Sequence, residues 1–268
     1  LQGENFRRET SISDLDILRL RIVGEHKICG GKGIREKSII DSNGVPRTVA
    51  RLCKCNRRFD LISRFVLSDI PYYSLINQKI YKKIVVDELS GKDIDLKKEL
   101  VYPFIKKIRQ VIVNPYGLVF LGKHGTGKTF VGQKILYYVL SNGHTAHYIE
   151  LSSFLNLLRR NFEENLDPLI HEISNVDILM IDEIGNESKR SEFSIGEFKS
   201  LLKRRVESNK PTILASNYSY GEFKVAYGKS VESIVEAFSK ILNFKKVVDV
   251  RRVKGRADLE SFFKKIKE

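Results

Sequence analysis

From Gly117 onward, short apolar runs alternate with longer amphipathic stretches. GLVFL at 117–121, TAHYIE at 145–150, VDILMI at 176–181 and PTILAS at 211–216 are nearly continuous in apolar character. Runs of this kind suit strands of a parallel sheet buried on both faces, and the helically spaced segments between them suit its crossovers. A further strand is expected around Lys246–Val250 and a terminal helix from about Asp258. Ahead of the first strand, Asp95 is placed to cap a helix running to about Ile112. The pattern predicts an α/β domain.

Before Asp95 the text changes character. Between His26 and Cys55, Gly30, Gly31 and Gly33 follow a cysteine, Asp41-Ser42-Asn43-Gly44 reads as a hairpin turn, and Cys53 and Cys55 close the segment. This predicts a small β-ribbon. Residues 56–68 and 72–87 carry helical apolar spacing, interrupted near Pro71, and Ser90-Gly91-Lys92-Asp93 forms a polar junction. The domain boundary is expected there, with a Cys-rich and helical domain over 1–94 and the α/β domain over 95–268.

Composition adds the partner class. With 42% apolar and 30% charged residues the chain has the make-up of a folded protein, and no run approaches the roughly 20 apolar residues of a bilayer span. Leu1–Thr10 lack a basic start followed by an apolar run, so no secretory signal is legible and a cytoplasmic location with no membrane partner is expected. The net charge of +14 is spread over both parts of the chain and attracts phosphate polymers, nucleic acid foremost. The alternative is a set of Lys-rich solvated helix faces.

Candidate chemistry begins directly after the strand at 117–121. Gly122-Lys123-His124-Gly125-Thr126-Gly127-Lys128-Thr129 matches GxxxxGK[ST] and opens a helical segment. Gly122, Gly125, Thr126 and Gly127 would wrap ATP phosphates with backbone N–H groups, Lys128 would reach the terminal phosphates, and the Thr129 hydroxyl would ligate Mg²⁺. A second strand ends in Asp182-Glu183, at the carboxyl edge where open α/β sheets bind ligands. Asp182 suits magnesium and Glu183 suits a general base for water attack on the γ-phosphate. The fourth strand ends in Ser216-Asn217, where the Asn217 amide could orient that water. An acid pair followed by such an amide suits water activation, which disfavours a small-molecule kinase.

These three segments, GKHGTGKT, VDILMIDEIG and PTILASNYS, resemble the AAA+ ATPases of the bacterial and phage replicative helicase loader family (DnaC-like) and their transposition-helper relatives, over about residues 96–256. The resemblance implies an AAA+ fold and a sensor role for Asn217. It also implies self-association through the ATPase domain, a replicative helicase gripped by the N-terminal part, and single-stranded DNA engaged by the ATPase domain. The chain departs from the family where an arginine is expected to complete a neighbour's ATP site. That region reads SVESIVEAFSKILNF, with Ser233 and Ala237 near the expected position. Arg204, Arg205, Arg251, Arg252 and Arg256 are the remaining candidates.

His26-x-x-Cys29 and Cys53-x-Cys55 offer four ligands in two short pairs bracketing the ribbon, a spacing that suits structural tetrahedral Zn²⁺. The alternative is reduced, partly buried thiols. Three functions fit the sequence: a helicase loader, a transposition or recombination helper ATPase assembling on duplex DNA, and a nucleotide-binding adaptor that barely hydrolyses.

Overall fold

The computed structural model describes residues 27, 29–30, 32, 34–40, 45–55, 63–64, 68–70, 84–160, 167–187 and 191–245. The chain divides into two compact units, Leu1–Asp69 and Ile70–Glu268. In the first unit, β1 (Ile34–Ile40) and β2 (Pro46–Leu52) pair antiparallel, from Ile34 opposite Leu52 to Ile40 opposite Pro46. The expected hairpin turn at 41–44 lies outside the described residues, as do His26 and most of the helical stretches expected over 56–83.

The second unit is built on seven strands: β3 (Ile84–Asp87), β4 (Asp93–Asp95), β5 (Gly117–Leu121), β6 (Ala146–Glu150), β7 (Ile178–Ile184), β8 (Thr212–Ser216) and β9 (Ser239–Asn243). Their order across the sheet is β4-β3-β9-β5-β8-β7-β6. The five strands from β9 to β6 run parallel, and β3 and β4 add an antiparallel edge, so the sheet is mixed rather than parallel throughout. Ile84–Asp87, included in the helical spacing expected over 72–87, is a strand. Its Val85 is fully buried, and the Ser90–Asp93 stretch turns the chain back into β4, with the Gly91 N–H donating to the Asp87 carbonyl at 2.8 Å.

Asp95 caps as expected, its carboxylate accepting the N–H groups of Lys97 and Lys98 at 3.1 Å each. The helix beyond it is interrupted. A π-turn over Leu96–Val101 leads into α1 (Tyr102–Lys106), and Lys107 breaks the path before α2 (Ile108–Val111). The strand expected at 246–250 lies outside the described residues. The last described strand, β9, falls earlier, at the end of SVESIVEAFSKILNF, where no strand is expected. Ile241 and Leu242 are fully buried there beside β5.

Helices cover both faces of the sheet. On one face, α3 (Lys128–Ser141) buries Val131, Ile135, Leu136 and Val139, and its Gly132 lies against Met180 so closely that a Cβ would meet the sulfur at 2.5 Å. The remaining helices are α4 (Leu151–Arg160), α5 (Asp167–Asn175), α6 (Glu192–Glu207) and α7 (Tyr220–Phe238). On the opposite face, Leu151, Phe154 and Leu155 of α4, Phe198 and Leu201 of α6, and Phe223 and Val231 of α7 form one core with Val119, Leu121, Ile181, Leu214 and Ile241 of the strands. Each such buried side chain contributes about 1.5–3 kcal/mol of apolar transfer free energy. No described helix is long and apolar enough to cross a membrane.

Candidate active site

The loop between β5 and α3 turns on glycines: Gly122, Gly125 and Gly127 hold φ of 133°, 78° and 88°, the left-handed side that side chains with a Cβ avoid. Gly127 is also the N-cap of α3 and supplies no side-chain acceptor to the helix's first N–H groups. That end therefore carries an anion-attracting partial charge. Thr126 closes the loop by donating its hydroxyl to the Lys123 carbonyl at 2.9 Å. Thr129 follows on the first turn of α3, half-buried.

Lys128, 6% exposed, folds back beneath the loop. Its ammonium donates to the carbonyls of Gly122 at 2.6 Å and Lys123 at 3.0 Å, and to Oδ1 of Asn217 at 3.0 Å. The Asn217 amide nitrogen in turn lies 3.4 Å from Oε2 of Glu183. Three side chains from three separate segments thus form one chain of contacts at the carboxyl edge of the sheet.

The acid pair depends on an irregularity. Successive strand residues face opposite sides, yet the β7–β8 register shifts between Ile181 and Ile184, and Glu183 takes φ 54°. The kink re-aims Glu183, whose Oε2 also accepts the Asn186 side-chain amide. Asp182 is 2% exposed. Its Oδ1 accepts the Glu183 N–H at 2.8 Å, and its Oδ2 accepts the Tyr148 hydroxyl at 3.1 Å. The turn after the pair is fixed by a close approach: a Cβ on Gly185 would lie 2.7 Å from the Tyr218 ring, whose hydroxyl donates to the Gly185 carbonyl at 3.1 Å. Ser216, at the end of β8, donates to the Ile184 carbonyl at 2.7 Å and ties the two strand ends together.

Three residues at this edge had no part in the sequence reading. Glu150 ends β6 in register with Asp182. Burial pushes its carboxyl above the usual range, and the charges of Glu183 and Asp182 add to the effect. Its signal was present, a charge at the end of an apolar strand, the same as that of Asp182. Tyr148 and Asn186 carried none, because their value lies in a partner 34 residues away and in a local turn.

Arg205 is not where a trans-acting arginine would be. Its side chain is fully buried. It donates to Thr212 Oγ1 at 2.9 Å, to the carbonyls of Ser174, Val176 and Ile173 at 2.9, 3.1 and 3.3 Å, and to that of Pro211 at 2.6 Å. Burial lowers its pKa to about 9, which still leaves it charged at neutral pH. It serves the C-terminal carbonyls of α5 and cannot leave them cheaply. Arg204 beside it is exposed. Arg251, Arg252 and Arg256 lie outside the described residues. Ser233 and Ala237 are exposed on α7, beside Glu232 and Glu236, which both pair with Lys224.

In the N-terminal unit, the sulfurs of Cys29, Cys53 and Cys55 lie within 4.8 Å of one another, and all three residues are buried. The Cys55 backbone N–H draws the Cys53 thiol down to about 6, whereas burial and the neighbouring sulfurs push Cys55 up to about 11.

A model of the family described as IstB-like ATP binding protein matches residues 93–254. The chain is 30% identical over 122 residues to the replicative helicase loader DnaC of Buchnera aphidicola subsp. Baizongia pistaciae (strain Bp), covering 44% of this chain and 49% of that protein. It is also 30% identical over 136 residues to the replicative helicase loader DnaC of Escherichia coli (strain K12), covering 47% and 54%. The chain spans about half the length of the curated relatives it matches. A crystal structure of the DnaC helicase loader shares the fold with a TM-score of 0.51 at 20% identity, over 56% of this chain and 90% of that one.

Proposed function

The chain belongs to the family of IstB-like ATP-binding proteins, and from that premise we propose that it binds and hydrolyses ATP with Mg²⁺ to load a replicative ring helicase onto single-stranded DNA. The observation that carries the chemical part is the contact chain Lys128–Asn217–Glu183, which links the phosphate-binding loop to a carboxylate at the same edge of the sheet. Lys128 would exchange its loop carbonyls for phosphate oxygens, and the N-terminus of α3 would hold the remaining negative charge. Glu183 would take a proton from water as its oxygen attacks the γ-phosphorus, releasing ADP and phosphate, and Asn217 would hold that water or report the γ-phosphate.

The donor set fits magnesium. Hard oxygen ligands are what the ion selects, Thr129 and Asp182 supply them, and Glu150 ends β6 in register with Asp182, so that carboxylates gather at one edge of the sheet. When bound, the ion would neutralise charge on the β- and γ-phosphates.

The loader role rests on the named relatives, and the positive charge of +14 supports contact with nucleic acid. Self-association would complete each ATP site, with Arg204 or an arginine of the 251–256 segment as the trans-acting group. The test is ATP turnover by the full chain, alone and with single-stranded or duplex DNA, over a range of salt. Stimulation by single strands that fades as salt rises is the expected result. A preference for duplex would point instead to a helper ATPase assembling on double-stranded DNA, and absence of turnover with DNA and a ring helicase present would leave a nucleotide-binding adaptor.

The N-terminal cysteines fit zinc. A Zn–S bond of about 2.3 Å requires tetrahedral sulfurs to stand about 3.8 Å apart, and Cys29 and Cys55 already approach to 3.5 Å. The Cys55 backbone N–H draws the Cys53 thiol down toward the thiolate, the form that binds metal. His26 would be the fourth ligand and would close a structural site. Metal analysis of the full chain is expected to find one zinc per chain, and a strong chelator is expected to lower its first melting transition. Reactive, metal-free thiols in the purified protein would remove the assignment.

A further inference from the structure

We propose that Tyr148 is a positioning residue for magnesium, acting through Asp182. The assignment rests on the nucleotide reading above and deepens it. Asp182 is almost wholly buried, and each of its oxygens holds one donor: Oδ1 the Glu183 N–H, Oδ2 the Tyr148 hydroxyl. The two donors differ in kind. The first comes from the backbone at the β7 kink and would be offered to any acceptor at that position. The second is a side chain on another strand.

The register explains how that side chain arrives. β6 pairs with β7 so that Tyr148 stands opposite Met180 and Glu150 opposite Asp182. Tyr148 is therefore the diagonal neighbour of Asp182 on one face of the sheet, a spacing that a tyrosine spans. Met180 on that same face packs against Gly132 of α3, the helix that opens with Lys128 and Thr129. Asp182, two residues on from Met180, therefore stands on the face of the sheet that α3 covers, and Tyr148 donates to its carboxylate from β6.

A carboxyl torsion is broad and about two-fold when nothing fixes it. Held by one donor only, the carboxyl plane of Asp182 would be free to turn about that torsion. Held at both oxygens, it keeps one orientation, and each oxygen retains a lone pair for the ion or its bound water. Groups that hold a metal ligand in this way typically govern about 10- to 100-fold in affinity. Nothing in this role requires Tyr148 to touch nucleotide, and its hydroxyl neither gives up nor gains a proton during turnover.

The test is Tyr148→Phe in the full chain, which keeps the ring in the sheet and removes only the hydroxyl. Mn²⁺ binding in the presence of a non-hydrolysable ATP analogue, read by electron paramagnetic resonance, is expected to weaken about tenfold, the lower end of that range. Nucleotide affinity without metal should stay at the parent's value, and melting should fall by only a few degrees, the cost of one hydrogen bond lost to a buried carboxylate. Turnover should recover to within about twofold at saturating Mg²⁺, so the loss falls on the metal half-saturation and not on the maximal rate. Combining the change with Asp182→Ala separates direct from relayed action: Tyr148→Phe should then have no further effect on Mn²⁺ binding. Unchanged Mn²⁺ affinity in the single variant, or additive losses in the double, would overturn the assignment. A parent chain that binds the Mn²⁺–nucleotide pair no better than Lys128→Ala would overturn the nucleotide reading itself, and this assignment with it.

Discussion

Glu183→Gln is expected to bind ATP as the parent does and to lose about 10²- to 10⁴-fold in turnover, the usual contribution of a positioned general base. The substitution keeps the length of the side chain and an oxygen that can accept from Asn186 and Asn217, so the kink at φ 54° and the contact chain to Lys128 survive. What disappears is the proton acceptor. Lys128→Ala gives the contrasting phenotype, because it removes the cation that the loop carbonyls of Gly122 and Lys123 hold in place for phosphate. Equilibrium binding of a fluorescent ATP analogue, set beside single-turnover hydrolysis, separates the two. Turnover by Glu183→Gln within about threefold of the parent, far above the loss a missing base produces, would withdraw the role given to this residue.

Arg205→Ala is expected to destabilise the second unit by about 3–5 kcal/mol, the range for opening a large cavity while stranding buried polar groups. Its guanidinium serves four carbonyls and one hydroxyl in the interior, and its removal takes away their shared donor. With roughly 2–4 °C lost per kcal/mol in a unit of this size, melting should fall by about 10 °C. Arg205→Lys should recover little of this, since a single ammonium cannot span acceptors on two sides of a planar fork. Arg204→Ala, one residue away and exposed, should leave melting unchanged. The pair also decides between two roles. An arginine acting in a neighbour's ATP site would, when removed, leave melting intact and lower turnover only in the assembled state, and such a result for Arg205 would contradict its structural role.

The groups that gather at the site were legible along the chain because each stands in a pattern local in sequence. A glycine-rich loop after an apolar strand, an acid pair ending a second strand and an amide ending a fourth are each readable within a few residues. Parallel strands then bring their carboxyl ends to one edge whatever the details of packing, which is why Lys128, Asn217 and Glu183 meet. The α/β pattern of β5, β6, β7 and β8 was legible for the same reason. The limits of the reading fall where pairing or burial, not local pattern, sets the outcome. Residues 84–87 carry helical spacing but find strand partners in β4 and β9, and Ser239–Asn243, where no strand is expected, lies beside β5. Along the chain Arg205 reads as one of five arginines that could complete a neighbour's ATP site. Only the approach of α5 and the start of β8 turns it inward, where the unpaired carbonyls at a helix end make a buried charge cheaper than a buried void. Tyr148 and Glu150 read as part of an apolar strand, and the register of β6 on β7 alone sets them against Asp182. Sequence thus determined which groups the chain offers and at which strand ends they stand. Tertiary structure decided which of them are held, by what, and in which direction, because hydrogen-bond partners and desolvation depend on segments that meet only after folding.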